Sequence, residues 1–443
     1  MPRRNIILLL ASLAVAALCY QKIDHNRYGR VFGYAMRLVE DRHLEPVDSR
    51  AIFEHAMHGM MEGLDDPHSS YISPAEEEEF EQALDPQFGG VGMELGMDPT
   101  TKQLVVNTPL FDSPAFKAGI RAGDHILRID GQSTQGLSLE DAVGRLRGRQ
   151  GEPVTLTIRH EGEEQPVDVT IVRDVIRVDT VLGDTRNPDG SWNFFLEGAE
   201  GIGYVRINTF ATETTHELER ALTQLKERGM RGLILDLRDD RGGLLPAAIE
   251  MCDLFIREGV IVSTRGRNKD EVLEVAQATG SAPYADVPLA VLINGESASA
   301  SEIVAACLQD HQRAVIVGER SYGKGTVQEV ISLPEGQGTL RLTTASYWRP
   351  SGKNIHRRRD ATEADTWGVL PNEGYQVPLD EATVQKLRIQ RMRRDSYRRP
   401  TAAAESDEGA RVEDPQLAKA VAYTEKEAAR RAESNAPTTS SKQ

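Results

Sequence analysis

The feature that most constrains the fold is a regular alternation of strand-like and helix-like segments between residues 200 and 318. The apolar runs cover residues 203–207, 232–237, 289–293 and 314–317, and helical patterns cover residues 214–228, 245–256 and 299–309. Continuous apolar runs are typical of strands buried on both faces of a sheet. Strands separated by helices form α/β units. We therefore expect an α/β core, a mixed sheet with flanking helices.

A shorter pattern precedes this core between residues 88 and 173. It opens with glycine-rich residues 89–95, contains the turn Asp130-Gly131, and continues with a helical stretch from Ser138 and an alternating strand at residues 154–158. Short strands bounded by glycine-rich turns predict a compact β-rich unit. We expect this unit to be a domain inserted ahead of the α/β core.

The two ends of the chain predict helices. Apolar residues recur at helical spacing between residues 27 and 63, and a basic block at residues 386–399 lies within a polar tail. We interpret the tail as a charged helix with a disordered end, whose basic block would meet an acidic surface or anionic lipid headgroups. The predicted boundaries are 1–22 signal peptide or anchor, 23–82 helical region, 83–175 β-rich domain, 176–380 core and 381–443 tail.

The first twenty residues indicate export. Arg3 and Arg4 precede an apolar run at residues 6–20, which is the order of an export signal. The run is short for a membrane span, and Ala14-Val15-Ala16 offers a cleavage site, so both a cleaved signal peptide and a retained membrane anchor remain open. Either outcome exports the protein across a membrane.

Charge and composition exclude several classes of partner. The net charge of −16 argues against nucleic acid, since phosphate binding needs a basic face. No cluster of Cys and His has metal-binding spacing, and we expect no metal and no cofactor. Cys252 and Cys307 could form a disulfide, but both lie in apolar helical stretches, which favours buried free thiols.

The first segment that suggests chemistry follows the apolar run at residues 289–293. A turn of small residues leads through Ser297 and Ser299 into a helix. Amides at a helix start point outward and suit a developing oxyanion. Serine is also a preferred helix cap, so the turn by itself fits a cap as well as a nucleophile.

A second such segment contains Lys324 between Gly323 and Gly325. The two glycines allow close backbone packing, which could hold the ammonium group in a restricted place. The segment also nearly matches a phosphate-binding loop, but Gly325 stands where that motif needs a hydroxyl, and a strand-like stretch follows instead of a helix. Nucleotide binding is therefore disfavoured.

Together the two segments resemble a known family. Ser-Ala-Ser-Ala-Ser-Glu at residues 297–302 and Tyr-Gly-Lys-Gly-Thr-Val-Gln at residues 322–328 are similar to the carboxyl-terminal processing (tail-specific) proteases, bacterial serine endopeptidases with a PDZ domain. The resemblance extends over most of residues 35–380. It includes the PDZ opening at residues 89–95 and the glycine-rich segment at residues 236–243, where Arg241 departs from the usual proline or glycine.

The resemblance implies a role for each matching residue. Ser299 corresponds to the nucleophile, Lys324 to the general base and Gln328 to the residue that orients the lysine. Gly243 and Ala300 correspond to the backbone donors of the oxyanion hole. A Ser–Lys pair is a known variant of the catalytic triad. A Ser-His-Asp triad using His68 or His311 is the weaker reading, because neither histidine has a recognisable triad context.

The resemblance also implies how substrates are recognised. Backbone amides of Gly90, Val91, Gly92 and Met93 would capture the carboxylate at the C-terminus of a protein or peptide substrate. That substrate would then add a strand beside the PDZ sheet. Leu95 and the helix from Ser138 would line its side-chain pocket. The alternative is a small β-domain that binds no ligand.

The expected function is thus an exported endopeptidase that binds C-termini and cleaves at Ser299. Two alternatives remain open, a PDZ scaffold with an inactive protease core and a protease that is silent until an adaptor protein activates it. Apolar stripes in the N-terminal helices, including Val31, Leu38 and Val39, predict a homo-oligomer.

Overall fold

The computed structural model describes residues 26–77, 88–98, 101–176, 178–187, 189–268, 271–395 and 412–435. They form two compact units. The N-terminal unit contains residues 26–77 and 330–342, and the main unit contains the other described residues. The predicted signal peptide or anchor at residues 1–22 lies outside the described residues. Among the residues that are described, no helix has the length and apolar character needed to cross a membrane.

The N-terminal unit contains two helices and a short strand. They are α1 (Arg27–Arg42), α2 (Ser49–Glu62) and β1 (Ser70–Ile72), which pairs antiparallel with residues 339–341. Phe53 and His58 of α2 pack on the ring of Tyr71. The rest of the described chain buries none of the residues of α1, although its sequence has an apolar stripe.

The β-rich domain begins the main unit. Its strands are β2 (Phe88–Gly89), β3 (Met93–Met97), β4 (Leu104–Pro109), β5 (His125–Ile129), β6 (Gln132–Ser133), β7 (Gly148–Arg149), β8 (Pro153–Arg159) and β9 (Val167–Val172); its helices are α3 (Pro114–Lys117) and α4 (Leu139–Leu146). Strands β3-β4-β5-β8-β9 form an antiparallel sheet, with β6 paired to β5. Val106, Ile126, Leu156 and Ile158 fill the domain core.

The α/β core is built on one central sheet. Its strands are β10 (Val181–Leu182), β13 (Ile202–Ile207), β14 (Gly232–Asp236), β17 (Leu289–Ile293) and β18 (Val315–Gly318), which lie in that order. The last four strands are parallel. All residues of β14 and β17 are buried, as expected for the continuous apolar runs of a sheet covered on both faces.

Three connecting helices cover one face of this sheet. They are α5 (Thr214–Glu227), α6 (Leu245–Asp253) and α7 (Ala300–Asp310). The parallel strands follow one another in chain order, and parallel crossovers are almost always right-handed, so all three helices lie on the same side. There they share one apolar cluster with Val205, Leu235 and Val291. The opposite face would stay bare without a further element.

The C-terminal tail supplies that element. Helix α8 (Glu381–Asp395) is followed by helix α9 (Pro415–Asn435). Ala420 of α9 packs against Tyr204, Ile234 and Leu292 on the second face of the sheet. The tail is helical over residues 381–395 and 415–435. Its second helix packs on the central sheet, a contact that the polar composition of the tail did not predict. The end at residues 436–443 lies outside the described residues.

The basic block also binds within the protein. Arg388 and Arg391 of α8 pair with Asp239, and Arg394 pairs with Asp184. These arginines therefore meet carboxylates of the core, where we had expected an external acidic surface or lipid headgroups.

The remaining strands form smaller sheets. They are the hairpin β11 (Thr185–Arg186) and β12 (Trp192–Asn193), the hairpin β15 (Val260–Arg265) and β16 (Val272–Gln277), and the strands β19 (Thr326–Ser332) and β20 (Thr339–Trp348). The end of β20 pairs with β15. Cys252 and Cys307 are free and fully buried, which confirms the prediction of buried thiols.

Candidate active site

Three loops meet at the carboxyl edge of the central sheet. They follow β14, β17 and β18, which are adjacent in the sheet, and cover residues 237–244, 294–299 and 319–325. Ligand sites of α/β sheets lie outside the carboxyl ends of the strands. The sheet topology thus brings together the glycine pair, the serine turn and the Gly-Lys-Gly segment, which are far apart in sequence.

Ser299 lies at the sharp turn from β17 into α7. Its φ of 57° and ψ of −112° are outside the extended region that helix-capping residues adopt. Such backbone conformations are rare for residues other than glycine and persist where surrounding contacts hold them. A strained strand-to-helix turn is also the arrangement that exposes the serine of a nucleophile elbow. The local geometry therefore favours a nucleophile over a simple cap.

Glu302 joins the serine turn to the lysine loop. Its side chain is fully buried. Its Oε2 accepts hydrogen bonds from the amides of Ser299 at 2.9 Å and Lys324 at 2.8 Å, and its Oε1 accepts from the Gly323 amide at 2.7 Å and from the Ser321 hydroxyl. Burial raises the pKa of Glu302 to about 7, although the four hydrogen bonds act in the opposite direction. One carboxyl oxygen thus holds the backbones of Ser299 and Lys324 side by side.

The glycine pair packs directly against the serine turn. A Cβ at Gly242 would lie 2.9 Å from the Ser299 Cβ and 2.6 Å from the Ala298 oxygen, and a Cβ at Gly243 would lie 2.1 Å from the Phe210 oxygen. Both positions therefore require glycine. Within the described residues, the amides of Gly243 and Ala300 donate no hydrogen bond to another group of the protein.

Asp240 supports the glycine pair from inside the protein. Its Oδ1 accepts a hydrogen bond from the Gly242 amide at 2.8 Å, and its backbone oxygen accepts from the Ala298 amide. Its Oδ2 is buried without a hydrogen-bond partner among the described residues. Burial raises the pKa of Asp240 to about 7, against the lowering effect of the hydrogen bonds from Gly242 and Ser301.

The glycines beside Lys324 allow another chain segment to approach. A Cβ at Gly323 would lie 2.6 Å from the Arg357 Cβ, and one at Gly325 would lie 2.2 Å from the His356 nitrogen. Lys324 itself is partly buried. The close packing predicted for the Gly-Lys-Gly segment is therefore present, and it restricts where the lysine side chain begins.

Gln328 lies in β19, four residues beyond Lys324. Its Nε2 donates hydrogen bonds to the hydroxyls of Thr326 at 2.9 Å and Thr343 at 3.2 Å. These bonds fix the side-chain amide on the strand that leaves the lysine loop.

The two competing sequence interpretations are not supported. His311 caps the far end of α7, where its Nε2 bonds to the Val260 oxygen, so a full helix separates it from Ser299. The Gly-Lys-Gly segment leads into strand β19, whereas a phosphate-binding loop leads into a helix. His68 belongs to the N-terminal unit. In the part of the chain that the structure describes, no group of Cys, His, Asp and Glu could hold a metal ion.

The predicted carboxylate-binding loop needs one correction. The Gly90 amide already donates to the Asp174 oxygen at 2.9 Å, so Gly90 is wrong as a carboxylate donor and instead closes the β-rich domain. The amides of Val91 and Gly92 donate to no other described residue. Met93 begins β3, and Leu95 packs partly buried against the domain core.

Comparison with known proteins identifies the chain. The model of peptidase family S41 matches residues 201–372, which include all three loops, and a PDZ domain model matches residues 105–160. A carboxy-terminal-processing protease of Bartonella bacilliformis is 39% identical over 391 residues, which are 86% of this chain and 85% of that relative. The chain belongs to the carboxyl-terminal processing protease family. It is a serine-type peptidase with a PDZ domain, so the predicted family, enzyme class and fold class are confirmed.

A second sequence relative agrees with this assignment. A carboxyl-terminal-processing protease of Synechocystis is 36% identical over 337 residues, which are 75% of this chain and 73% of the relative. Among solved structures, a photosystem II D1 C-terminal processing protease is 31% identical with a TM-score of 0.46, and the match covers 78% of this chain and 86% of that chain.

Two residues of this protease's candidate site, Glu302 and Asp240, were not predicted from the sequence. Glu302 could have been found from the spacing Ser299-x-x-Glu302, which is that of a capping box. That spacing explains the bond to Ser299 and does not reveal the bonds to the lysine loop. Asp240 carries no comparable signal, because its environment depends on the serine turn and the start of α7 as well as on its own loop.

Proposed function

We propose that this protease is an endopeptidase that binds protein C-termini through its PDZ domain and cleaves through an acyl-enzyme at Ser299. In this proposal Lys324 is the general base, Gln328 helps to orient the lysine, and the amides of Gly243 and Ala300 form the oxyanion hole.

The observation that carries the proposal is the shared acceptor on Glu302. One buried oxygen receives the amides of both Ser299 and Lys324, so the backbones of the nucleophile and the base have a fixed relation. A Ser–Lys pair needs such a relation because proton transfer requires the two side chains to come within hydrogen-bond reach.

Acylation would begin with a proton transfer. The neutral Lys324 amine takes the proton of the Ser299 hydroxyl as the oxygen attacks the carbonyl carbon of the substrate. The oxyanion that forms accepts hydrogen bonds from the Gly243 and Ala300 amides, which have no acceptor within the described protein. Lys324 then returns the proton to the departing amine, and the C–N bond breaks.

Deacylation repeats the same steps with water. Lys324 removes a proton from water as it attacks the acyl carbon, and the ester bond to Ser299 breaks with return of the proton to the serine oxygen. Lysine serves as a base only when it is neutral, and removal from water favours the neutral form. The partial burial of Lys324 supports this role.

Substrate selection is assigned to the PDZ domain. The amides of Val91 and Gly92 lack acceptors among the described residues, and Met93 opens the strand β3 beside which a substrate strand would add. Export is proposed from Arg3, Arg4 and the apolar run that follows. It would place the protease in the bacterial cell envelope, with membrane association through the N-terminal segment if that segment is retained.

Substitution of the lysine tests the mechanism. We expect Ser299→Ala, Lys324→Ala and Lys324→Arg each to abolish cleavage of an unfolded protein, since a guanidinium group does not deprotonate. The matched control is Lys353→Arg at an exposed lysine, which should cleave like wild type. Cleavage by Lys324→Arg at the wild-type rate would refute Lys324 as the base.

The same assay separates the alternatives. An inactive scaffold would show no serine-dependent cleavage under any condition. A protease that depends on an adaptor would be inactive in isolation and become active, in a Ser299-dependent manner, on addition of an envelope extract.

A further inference from the structure

The loop that carries Gly243 is tied to the turn that precedes Ser299. The Asp239 amide donates to the Asn294 Oδ1 at 3.0 Å, and the Asn294 Nδ2 donates to the Asp239 Oδ1 at 3.0 Å. This reciprocal pair joins the loops after β14 and β17.

Helix α8 holds the same carboxylate from outside. Arg388 donates to the Asp239 Oδ1 and Arg391 donates to the Asp239 Oδ2, both at 2.8 Å. The Arg391 side chain is only 9% exposed, so water competes weakly for this pair. Burial disfavours the charged form of Asp239, but the hydrogen bonds from Arg388 and Asn294 outweigh it and hold the pKa below its usual range.

The loop needs such support because three of its residues adopt rare backbone conformations with positive φ. Asp239, Gly242 and Gly243 have φ values of 64°, 95° and 148°. Rarely populated conformations persist only when surrounding contacts determine them. Asp239 provides those contacts at the start of the loop, three residues before Gly242 and four before Gly243.

We propose that Asp239 is a positioning residue for the reaction. With Arg388 and Arg391 it keeps the Gly243 amide at the place of the oxyanion, so helix α8 takes part in catalysis through this contact. The inference rests on the proposed oxyanion role of Gly243.

Asp239→Asn is the most direct test. Asparagine tolerates a positive φ and can still bond to Asn294, but it loses the two charged pairs. With a small activated ester, which does not need the PDZ domain, we expect kcat to fall about 10-fold or more, below the effect of deleting an oxyanion donor. KM should stay unchanged. Loss of the charged pairs lowers the thermal unfolding midpoint, so kcat is compared at a temperature well below the midpoint of both proteins.

Arg394→Ala is the matched control on the same helix, because Arg394 pairs with Asp184 instead. It should leave kcat unchanged. An unchanged kcat in Asp239→Asn, or an equal fall in Arg394→Ala, would overturn the positioning role. If the wild type showed no Ser299-dependent ester cleavage, the proposed function itself would fail.

Chemical rescue gives a second, independent measurement. A cavity of about 230 Å³ adjoins Asp239, Arg388 and Arg391, which is room for a guanidinium ion. We expect guanidinium, but not sodium at equal ionic strength, to raise the kcat of Arg391→Ala and to leave wild type and Asp239→Asn unchanged. An equal response of all three proteins would contradict the proposal, because only Arg391→Ala combines the vacated site with the intact carboxylate.

Discussion

Two buried carboxyl groups organise the candidate active site of this protease. Glu302 receives four donors from the serine turn and the lysine loop. Asp240 receives the Gly242 amide and keeps one oxygen without a partner among the described residues. Unsatisfied buried polar atoms are costly, and burial favours the neutral form of the Asp240 carboxyl group, which raises its pKa.

This environment predicts how stability depends on pH. Burial raises the folded-state pKa of Asp240 to about 7, above its unfolded value. Its contribution to stability is therefore fully present below about pH 4 and is lost as the pH rises through 7. Asp240→Asn does not titrate, so relative to wild type it should gain up to about 4 kcal/mol between pH 4 and pH 8.

The measurement is urea unfolding of both proteins across that range. The pKa of Glu302 is also raised to about 7 by burial, but this group titrates in both proteins and cancels in the difference. Stability curves that stay parallel from pH 4 to pH 8 would mean that Asp240 is not protonated in the folded protein.

At the scale of single residues, the sequence predicted those residues that belong to a distinctive short motif. Ser299 and Lys324 lie in distinctive short segments. The glycines on either side of Lys324 already indicated close backbone packing. Asp239, Asp240 and Glu302 could not be assigned, because they contact residues that are distant in sequence. Arg391 lies 152 residues from Asp239, Ser301 lies 61 residues from Asp240, and Ser321 lies 19 residues from Glu302. Contacts of this kind depend on the assembled sheet.

At the scale of elements, helix α9 has a larger role than its polar composition indicates. Ala420 is fully buried against the central sheet, whereas Ala422, two residues later, is exposed. The helical periodicity was visible, but the sequence could not show that connecting helices all fall on one face and leave the other for the tail.

The two alanines provide a matched pair of substitutions. Ala420→Glu would bury a carboxylate against an apolar face, and we expect a loss of about 3 kcal/mol or more in unfolding free energy. Ala422→Glu should change it by less than about 0.5 kcal/mol. Urea unfolding measures both, and equal stabilities would show that α9 does not cover the sheet.

At the scale of the whole molecule, the proposed recognition of C-termini by the PDZ domain can be tested separately from the proposed chemistry. Substitution of Gly92 is a poor probe, because a Cβ there would lie 2.3 Å from the Ser113 Cβ at a φ of 74°. Changing the peptide ligand instead of the protein avoids this clash. We expect a peptide with a free C-terminus to bind to Ser299→Ala at least about 10-fold more tightly than its C-terminal amide, since a carboxylate is the better acceptor for backbone amides.

Fluorescence anisotropy with labelled peptides measures this difference, and Ser299→Ala prevents cleavage during titration. A peptide with a free C-terminus but a reversed internal sequence serves as the specificity control. Equal affinity for acid and amide would exclude capture of the terminal carboxylate.

Assembly is the second property at this scale. Helix α1 exposes Tyr28, Val31, Tyr34 and Val39, each by more than a third, and the described chain buries none of its residues. We expect this apolar surface to pair with a second copy. Replacing Val31, Leu38 and Val39 with serine should halve the mass found by light scattering, while the exposed polar substitution Arg37→Gln should not change it. A monomeric wild-type protein would contradict this expectation.

The position of α9 after the catalytic loops in the sequence also orders events in time. A polypeptide emerges from its N-terminus, so Ser299 and Lys324 exist long before residues 415–435 that cover the second face of their sheet. During that interval an apolar surface is uncovered, and the arginines of α8 have yet to reach Asp239. A newly made chain should therefore cut its neighbours poorly until α8 has been made, and its uncovered sheet face should need protection from aggregation until α9 packs on it.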